Sequence, residues 1–420
     1  MEFPQNFKLL KAARLVDGYG GPVRERAAIL LKSGRIQQVG TEETVSVPEG
    51  ATVEEMDYGD RTIIPGLIDC HVHLIGIGDG RAGEELTALP DEVLTVQAAQ
   101  NARTHLYSGV TTVRDCGAKN RTTFLLREAV KMGITPAPTL ILSGRPVAIV
   151  GGHLSYFGTH PTGPVECRAA VRQLVKEGAD FIKITATGGS TKTSFPLRPS
   201  FSIEELAAIC DETHKFGKHT AAHCASSQGI VNALDAGVDT IIHCRHKESD
   251  GTNIYRPEIA ERIAERGVFV NPTMNISRVS VELLETKQEE YGLTQSEQSQ
   301  LDGLRADHEF ILDSFARMRD AGVVMVCGSD SAWGGYKMGN FQGEVEEAVV
   351  GGMSPMESII AATKDSARSC WADGVIGTLE PGKQADLLIV DGDPTRDIKD
   401  LRNVVEVVQN GTVVDRNNYL

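Results

Sequence analysis

The sequence predicts an α/β protein, a closed (β/α)8 barrel carrying a small β-sandwich domain built from both chain ends. Three observations lead there. The long middle of the chain alternates strand-length apolar runs with helix-patterned runs. Both ends read instead as short β segments joined by turns. Side chains able to bind metal fall at the ends of the central strand candidates, the face on which barrel enzymes carry their active sites.

The elements follow in order. Residues 7–60 hold short β segments, among them Ala28-Ile29-Leu30-Leu31-Lys32, a turn at Ser33-Gly34-Arg35, and Ile36-Gln37-Gln38-Val39. Eight strand candidates come next: 63–72, 110–116, 139–143, 181–186, 219–223, 240–243, 268–272 and 323–329. Helical patterns separate most of them. Ser202-Ile203-Glu204-Glu205 is a capping-box start whose helix ends at Gly217. Ser354-Pro355-Met356-Glu357 opens another, with proline at the first helical position. Residues 279–310 are polar and helical in pattern, an insertion expected over the barrel mouth. The C-terminal end returns to β texture in Gly374-Val375-Ile376-Gly377, residues 385–390, residues 404–408 and residues 411–414. The division predicted is a β-sandwich domain of residues 1–62 and 373–420 around a barrel of residues 63–372. An open doubly wound sheet would carry a glycine-rich phosphate loop after its first strand, and Asp69-Cys70-His71-Val72-His73 is not one.

Composition narrows the function. With 42 Lys+Arg against 57 Asp+Glu, the formal charge of −15 disfavours nucleic acid or an anionic membrane as partner. No run approaches the roughly 20 apolar residues of a membrane span, and residues 1–6 lack the basic start and apolar run of a signal peptide. The eight cysteines are scattered without CxxC spacing, several of them inside apolar runs. A reducing cytoplasm is the expected location.

His71 and His73 close the first barrel strand, and side chains two apart on a strand point the same way. Both imidazoles can then converge on one point. Lys183 lies in Phe181-Ile182-Lys183-Ile184, where an inward ammonium without a partner would be costly to bury. His223 ends the fifth strand, His243 the sixth and Asp330 the eighth. Metal-type side chains thus close strands one, four, five, six and eight, all on the expected active-site face.

These motifs carry a resemblance. The stretches Pro65-Gly66-Leu67-Ile68-Asp69-Cys70-His71-Val72-His73, Gly178-Ala179-Asp180-Phe181-Ile182-Lys183-Ile184 and Gly328-Ser329-Asp330, with the tail from Gly377 to Asp386, resemble the amidohydrolase superfamily. Within it they are similar to the imidazolonepropionase- and prolidase-like branch, over nearly the whole chain. The resemblance implies two divalent metal ions, for which imidazole and carboxylate ligands suit zinc. It implies that Lys183 is carboxylated by carbon dioxide, giving an anion that bridges them. His71, His73 and Asp330 would hold one metal, and His223 and His243 the other. The implied reaction is attack of a metal-bridged hydroxide on an amide-type C–N substrate, with Asp330 as general base and then acid. His153 matches a family histidine that contacts substrate, and would donate a hydrogen bond to the carbonyl or oxyanion. Tyr156, Lys192, Arg198, His246, Trp333 and Tyr336 lie in loops after barrel strands and are further substrate-binding candidates.

The expected substrate is a small molecule, and the superfamily often assembles into homo-oligomers. Prolidase-like members grip the substrate carboxylate with a tyrosine two residues after the strand-five histidine, where this chain has Ala225. A carboxamide, carbamate or urea lacking a free carboxylate is therefore expected over an Xaa-Pro dipeptide. Lys192, Arg198 or Arg145 stand as substitutes for the missing anchor. A mononuclear deaminase or imidazolone-ring hydrolase, and a non-catalytic structural relative, are the other readings. The first usually lacks the bridging lysine and the second typically loses ligands, whereas all six residues are present here.

Overall fold

The structure, a computed structural model, describes residues 6–417 as a mixed α/β protein. The sequence reading of the first five residues lies outside the described residues. The chain opens with β1 (Asn6–Leu15), β2 (Arg24–Lys32), β3 (Arg35–Thr41), β4 (Thr52–Asp57) and β5 (Arg61–Pro65). Seven short strands follow: β6 (Leu67–Val72), β7 (Val110–Asp115), β8 (Thr139–Leu142), β9 (Ile182–Thr185), β10 (Thr220–His223), β11 (Thr240–Ile242) and β12 (Phe269–Asn271). The chain ends with β13 (Leu387–Asp391), β14 (Val404–Gln409) and β15 (Thr412–Val413).

The two chain ends share one eight-stranded sheet, in which β5 pairs antiparallel with β13 and β4 pairs with β1. Alternation along β1 and β2 sends side chains to both faces. Leu10, Leu15, Ile29 and Leu31 join one apolar cluster, while Phe7, Leu9, Ala28 and Leu30 join another. The expected strand over Gly374–Gly377 does not form; these residues are turns leading into β13. Nor is 63–72 one strand. It divides at Gly66, whose N–H donates to Asp386 O at 2.9 Å and where a Cβ would lie 2.2 Å from Thr111 Oγ1. The half before the break joins the terminal sheet, and the half after it bears the histidines.

The central strands pair in parallel in two runs, β6-β7-β8 and β9-β10-β11-β12. Backbone hydrogen bonds continue between the runs. Val147 N donates to Lys183 O at 2.8 Å, and Thr185 N to Val147 O at 3.0 Å. At the other side, Val326 N donates to Val270 O at 2.9 Å, while Cys70 N donates to Cys327 O and Asp330 N to His71 O. The eighth strand candidate, 323–329, is no strand but a segment held by these isolated contacts, with a parallel bridge between Val270 and Met325. The reason is local: Gly328 sits where a Cβ would meet Asn271 and His71 at 2.8 Å, and Ser329 turns to serve buried Asp69. The ladder yields to a polar demand.

Helices form where the sequence places their caps. Ser202 caps Ile203–Lys215 in a capping box with Glu205, and Ser354 does the same with Glu357 for Pro355–Ile360. The polar insertion resolves into two helices, Met274–Tyr291 and Gln295–Asp320. Buried Glu344 accepts from the first two N–H groups of the former, Met274 N at 3.0 Å and Asn275 N at 2.7 Å. No helix among the described residues is long and apolar enough to cross a membrane.

Candidate metal centre and active site

The ends of the parallel strands bring His71, His73, Lys183, His223, His243 and Asp330 to the wall of one cavity of about 490 Å³. Asp330 Oδ1 lies 3.4 Å from His71 Nε2 and 3.6 Å from His73 Nε2, and its Oδ2 lies 3.9 Å from His243 Nε2. Lys183 Nζ is 3.3 Å from His71 Nε2. Ring centroids of His223 and His243 are 4.5 Å apart. His71, His73 and Asp330 place three ligand atoms within 4.8 Å of one another.

The outer partner of each histidine decides where its proton sits. His73 Nδ1 faces Gly117 O at 2.9 Å and must donate to it, which leaves a lone pair on Nε2. Asn271 Nδ2 donates to Gly328 O at 3.0 Å, so its Oδ1 turns to accept from His71 Nδ1 at 3.2 Å. Thr273 Oγ1 donates to Pro272 O at 2.7 Å and therefore accepts from His243 Nδ1, also at 2.7 Å. His223 is held the other way round. Its Nε2 donates to Gly188 O at 2.9 Å, which frees Nδ1. Four imidazoles are fixed in tautomers whose free nitrogens can accept a metal, beside a carboxylate and a lysine. This donor set fits divalent cations.

Burial disfavours the charged form of each of these groups. His73 and His153 are held down to about 3, first by burial and then by the charge of Lys183. His71, His223 and His243 lie well below the ordinary imidazole value for the same leading reason. Burial pushes Asp330 up to about 7, opposed by Lys183, and lowers the Lys183 ammonium. Each of these imidazoles binds a proton in the unfolded chain, at about 6.5, more readily than in the folded one. The stability they contribute is present above that value and lost as pH falls through it. Buried Asp330, its carboxyl raised to about 7, takes up a proton on folding and offsets part of this loss. In metal-free protein the fall in Tm from pH 7 to 5 is therefore expected to be shallower in His73→Gln than in wild type, and an unchanged slope would contradict a neutral His73.

Backbone strain gathers at the same residues. His243 (φ +65°), Thr273 (φ +51°) and Asp330 (φ +54°) are all left-handed without being glycine. Fully buried Asp69 ties together the segments that carry His71 and Asp330. Its Oδ1 accepts from His71 N at 3.0 Å and Ser329 N at 2.9 Å, and its Oδ2 from Ser329 Oγ and His105 Nε2.

Of the other sequence candidates, His153, Tyr156 and Trp333 line the cavity. Nothing in the sequence marks Gly189, yet a Cβ there would strike the His153 ring at 2.6 Å. His246 lies instead in the wall of an adjoining cavity, stacked on Tyr255 and accepting from Arg256 N. Three candidates lie outside both walls. Lys192 is exposed near Glu85, Arg198 lies over the Phe195 ring, and buried Tyr336 donates its hydroxyl to Asn340 O. Arg145 pairs with Glu177 at 2.8 Å. Sequence reasoning missed Asn271, Thr273 and Arg245. The first two end or follow the seventh strand candidate, and position alone could have found them.

Known proteins share this framework. Ochratoxinase of Aspergillus niger is 26% identical, over 93% of this chain and 82% of its own. Imidazolonepropionase of Agrobacterium fabrum is 25% identical, over 92% and 89% respectively. A crystal structure of a Xaa-Pro dipeptidase with methionine bound in its active site superposes with TM-score 0.82 at 28% identity, covering 97% of this chain and 99% of that one. The family model of the Amidohydrolase family matches residues 62–414, and the chain belongs to that family of hydrolases acting on C–N bonds.

Proposed function

We propose that this protein is a binuclear metal-dependent hydrolase that cleaves an amide-type C–N bond of a small molecule. The observation carrying the proposal is the set of four histidines whose outer hydrogen bonds leave a free nitrogen each, gathered with Asp330 and Lys183 on one cavity wall. His71, His73 and Asp330 would hold one cation and His223 and His243 the other, with zinc the best match to these donors. Carboxylated Lys183 would bridge them, exchanging a buried ammonium for an anion between two cations. Bound there, two divalent cations lower the pKa of a water and polarise a carbonyl oxygen.

The protein's own groups supply the rest. Asp330, held near neutrality by burial, takes a proton from the attacking water and passes it to the departing nitrogen. His153 faces the same cavity with Nδ1 3.3 Å from Thr191 Oγ1. Leu154 N donates to that oxygen, and with the threonine hydroxyl donating to Nδ1 the imidazole proton would sit on Nε2. His153 then donates to the substrate carbonyl as it becomes an oxyanion. His153→Ala is expected to lower kcat by roughly 10²–10³-fold while metal content stays at two per chain. Loss of a metal ion from this variant would move His153 into the ligand set.

The architecture that suits this chemistry is a closed (β/α)8 barrel, expected over 63–372 but beginning after Gly66 because Ile63–Pro65 pair within the terminal sheet, with the chain ends expected over 1–62 and 373–420 as a small β-sandwich domain. The two parallel runs β6-β7-β8 and β9-β10-β11-β12, with isolated backbone contacts linking them through Val147 and through residues 323–331, support the closed form. Eight unpaired, buried cysteines suit a reducing cytoplasm. A dipeptidase is the second reading, favoured by the similarity to a Xaa-Pro dipeptidase that holds an amino acid in its active site. Metal analysis with a panel of amides, ureas, carbamates and dipeptides tests both. Absence of bound metal, or metallated protein inert towards every C–N substrate, would overturn the proposal.

A further inference from the structure

A second cavity of about 170 Å³ adjoins the metal-site cavity, and the two share Ala225, His243 and Arg245 in their walls. Leu197, Pro272, Phe310, Ile311 and Met318 give it an apolar lining, and its one carboxylate, Asp307, pairs with Lys247. Small Ala225 stands at the junction.

The cations on these walls differ in one respect. Arg81 pairs with Asp79 at 2.7 Å, and Lys247 with Asp307 at 3.1 Å. Lys183 belongs to the metal centre. Arg245, two residues after His243, has no carboxylate within ion-pair distance among the described residues, and its guanidinium makes one long hydrogen bond, from Nη2 to Thr273 O at 3.3 Å. A guanidinium offers five donors in a planar fork matched to a carboxylate. Most of those donors are unspent here, beside a cavity whose surroundings strengthen electrostatic attraction.

We propose that Arg245 is the anion anchor of this site, receiving a carboxylate on the amine side of the scissile bond while an apolar side chain enters the second cavity. This rests on the amide-hydrolase reading above and names its substrate class: N-acyl amino acids with a bulky apolar side chain. It reverses the expectation of a neutral substrate drawn from Ala225. The position vacated by a tyrosine opens the way to the second cavity, and the anchor comes from the neighbouring strand end instead.

The test uses the metallated full chain and two amides differing in a single group, N-benzoyl-L-phenylalanine and N-benzoyl-2-phenylethylamine. Wild-type protein is expected to favour the carboxylate member in kcat/KM, and Arg245→Met to reduce that preference about tenfold to hundredfold. Arg245→Lys, keeping the charge without the fork, should recover part of it. Calorimetric binding of L-phenylalanine against 2-phenylethylamine reads the same anchor without turnover. If binding favours the acid in an Arg245-dependent way but neither amide is cleaved, the anchor stands and the amide-hydrolase reading falls. An unchanged preference in Arg245→Met, in binding and in any turnover, overturns the anchor. Equal losses for both members of each pair, which would make Arg245 a prop for His243 and Thr273, overturn it as well.

Discussion

Asp330→Asn is expected to lower kcat by about 10²–10⁴-fold while most of the bound metal stays in place. The proton relay assigned to Asp330 needs a group that ionises, and an amide does not. Most other consequences of the change are muted by the structure. Asparagine tolerates the left-handed backbone that Asp330 adopts at φ +54°. Its side-chain oxygen can still face His71 Nε2 and His73 Nε2, which lie 3.4 and 3.6 Å from Oδ1. The remaining ligands are untouched. Turnover and metal content measured on one preparation check the expectation. Near-normal turnover would assign the proton transfers to another group.

Lys183→Met is expected to have an effect at least as large, by a different route. Methionine fills most of the same buried volume but can form no carbamate. Metal content should fall from two ions per chain to one or fewer, and kcat/KM by on the order of 10³-fold or more. That factor corresponds to several kcal/mol of lost charge stabilisation. In wild-type protein metallated with ¹³C-bicarbonate present, a carbamate carbonyl signal should be seen by NMR and should vanish in the variant. An active, fully metallated wild-type enzyme with an unmodified Lys183 would sink the bridging role.

Much of this site was legible in the sequence because strand ends are marked twice. An apolar run announces the strand, and a chemically distinctive residue closes it. His71 and His223 were readable for that reason, and Lys183 because an ammonium inside an apolar run is costly to bury without a partner; all three lie in strands. Helix starts were readable where a capping box spells them out, as at Ser202 and Ser354. Residues 323–329 misled because their apolar pattern is that of a strand, while Gly328 and Ser329 obey packing and hydrogen bonding to Asn271 and Asp69. Such demands come from residues far away in the chain. Arg245 escaped notice for a related reason. A loop arginine is ordinary by its identity and becomes distinctive only because no carboxylate among the described residues lies within ion-pair distance of it, which no sequence displays. Lys192, Arg198 and Arg145 were equally plausible by position, but none lines either cavity: Lys192 reaches Glu85, Arg198 lies over the Phe195 ring and Arg145 pairs with Glu177.

The Asp69 carboxylate joins His71 N to Ser329 N across 260 residues of chain. During synthesis, at about 5–20 residues per second, that separation corresponds to roughly 13–50 s. Throughout that interval His71, His73 and then Lys183 exist without Asp330, and Asp69 lacks the amide and hydroxyl of Ser329. The strands before 323 can pair with their neighbours as they emerge, but the contacts of Val326 with Val270, Cys327 with Cys70 and Asp330 with His71 can form only after that segment arrives. Long-range closure of this kind is slow, since chain entropy must be lost before the contacts form. Metal uptake at the complete site is therefore placed at the end of folding. A nascent chain stalled before residue 323 should bind metal weakly and exchange it freely, whereas the finished chain should retain it.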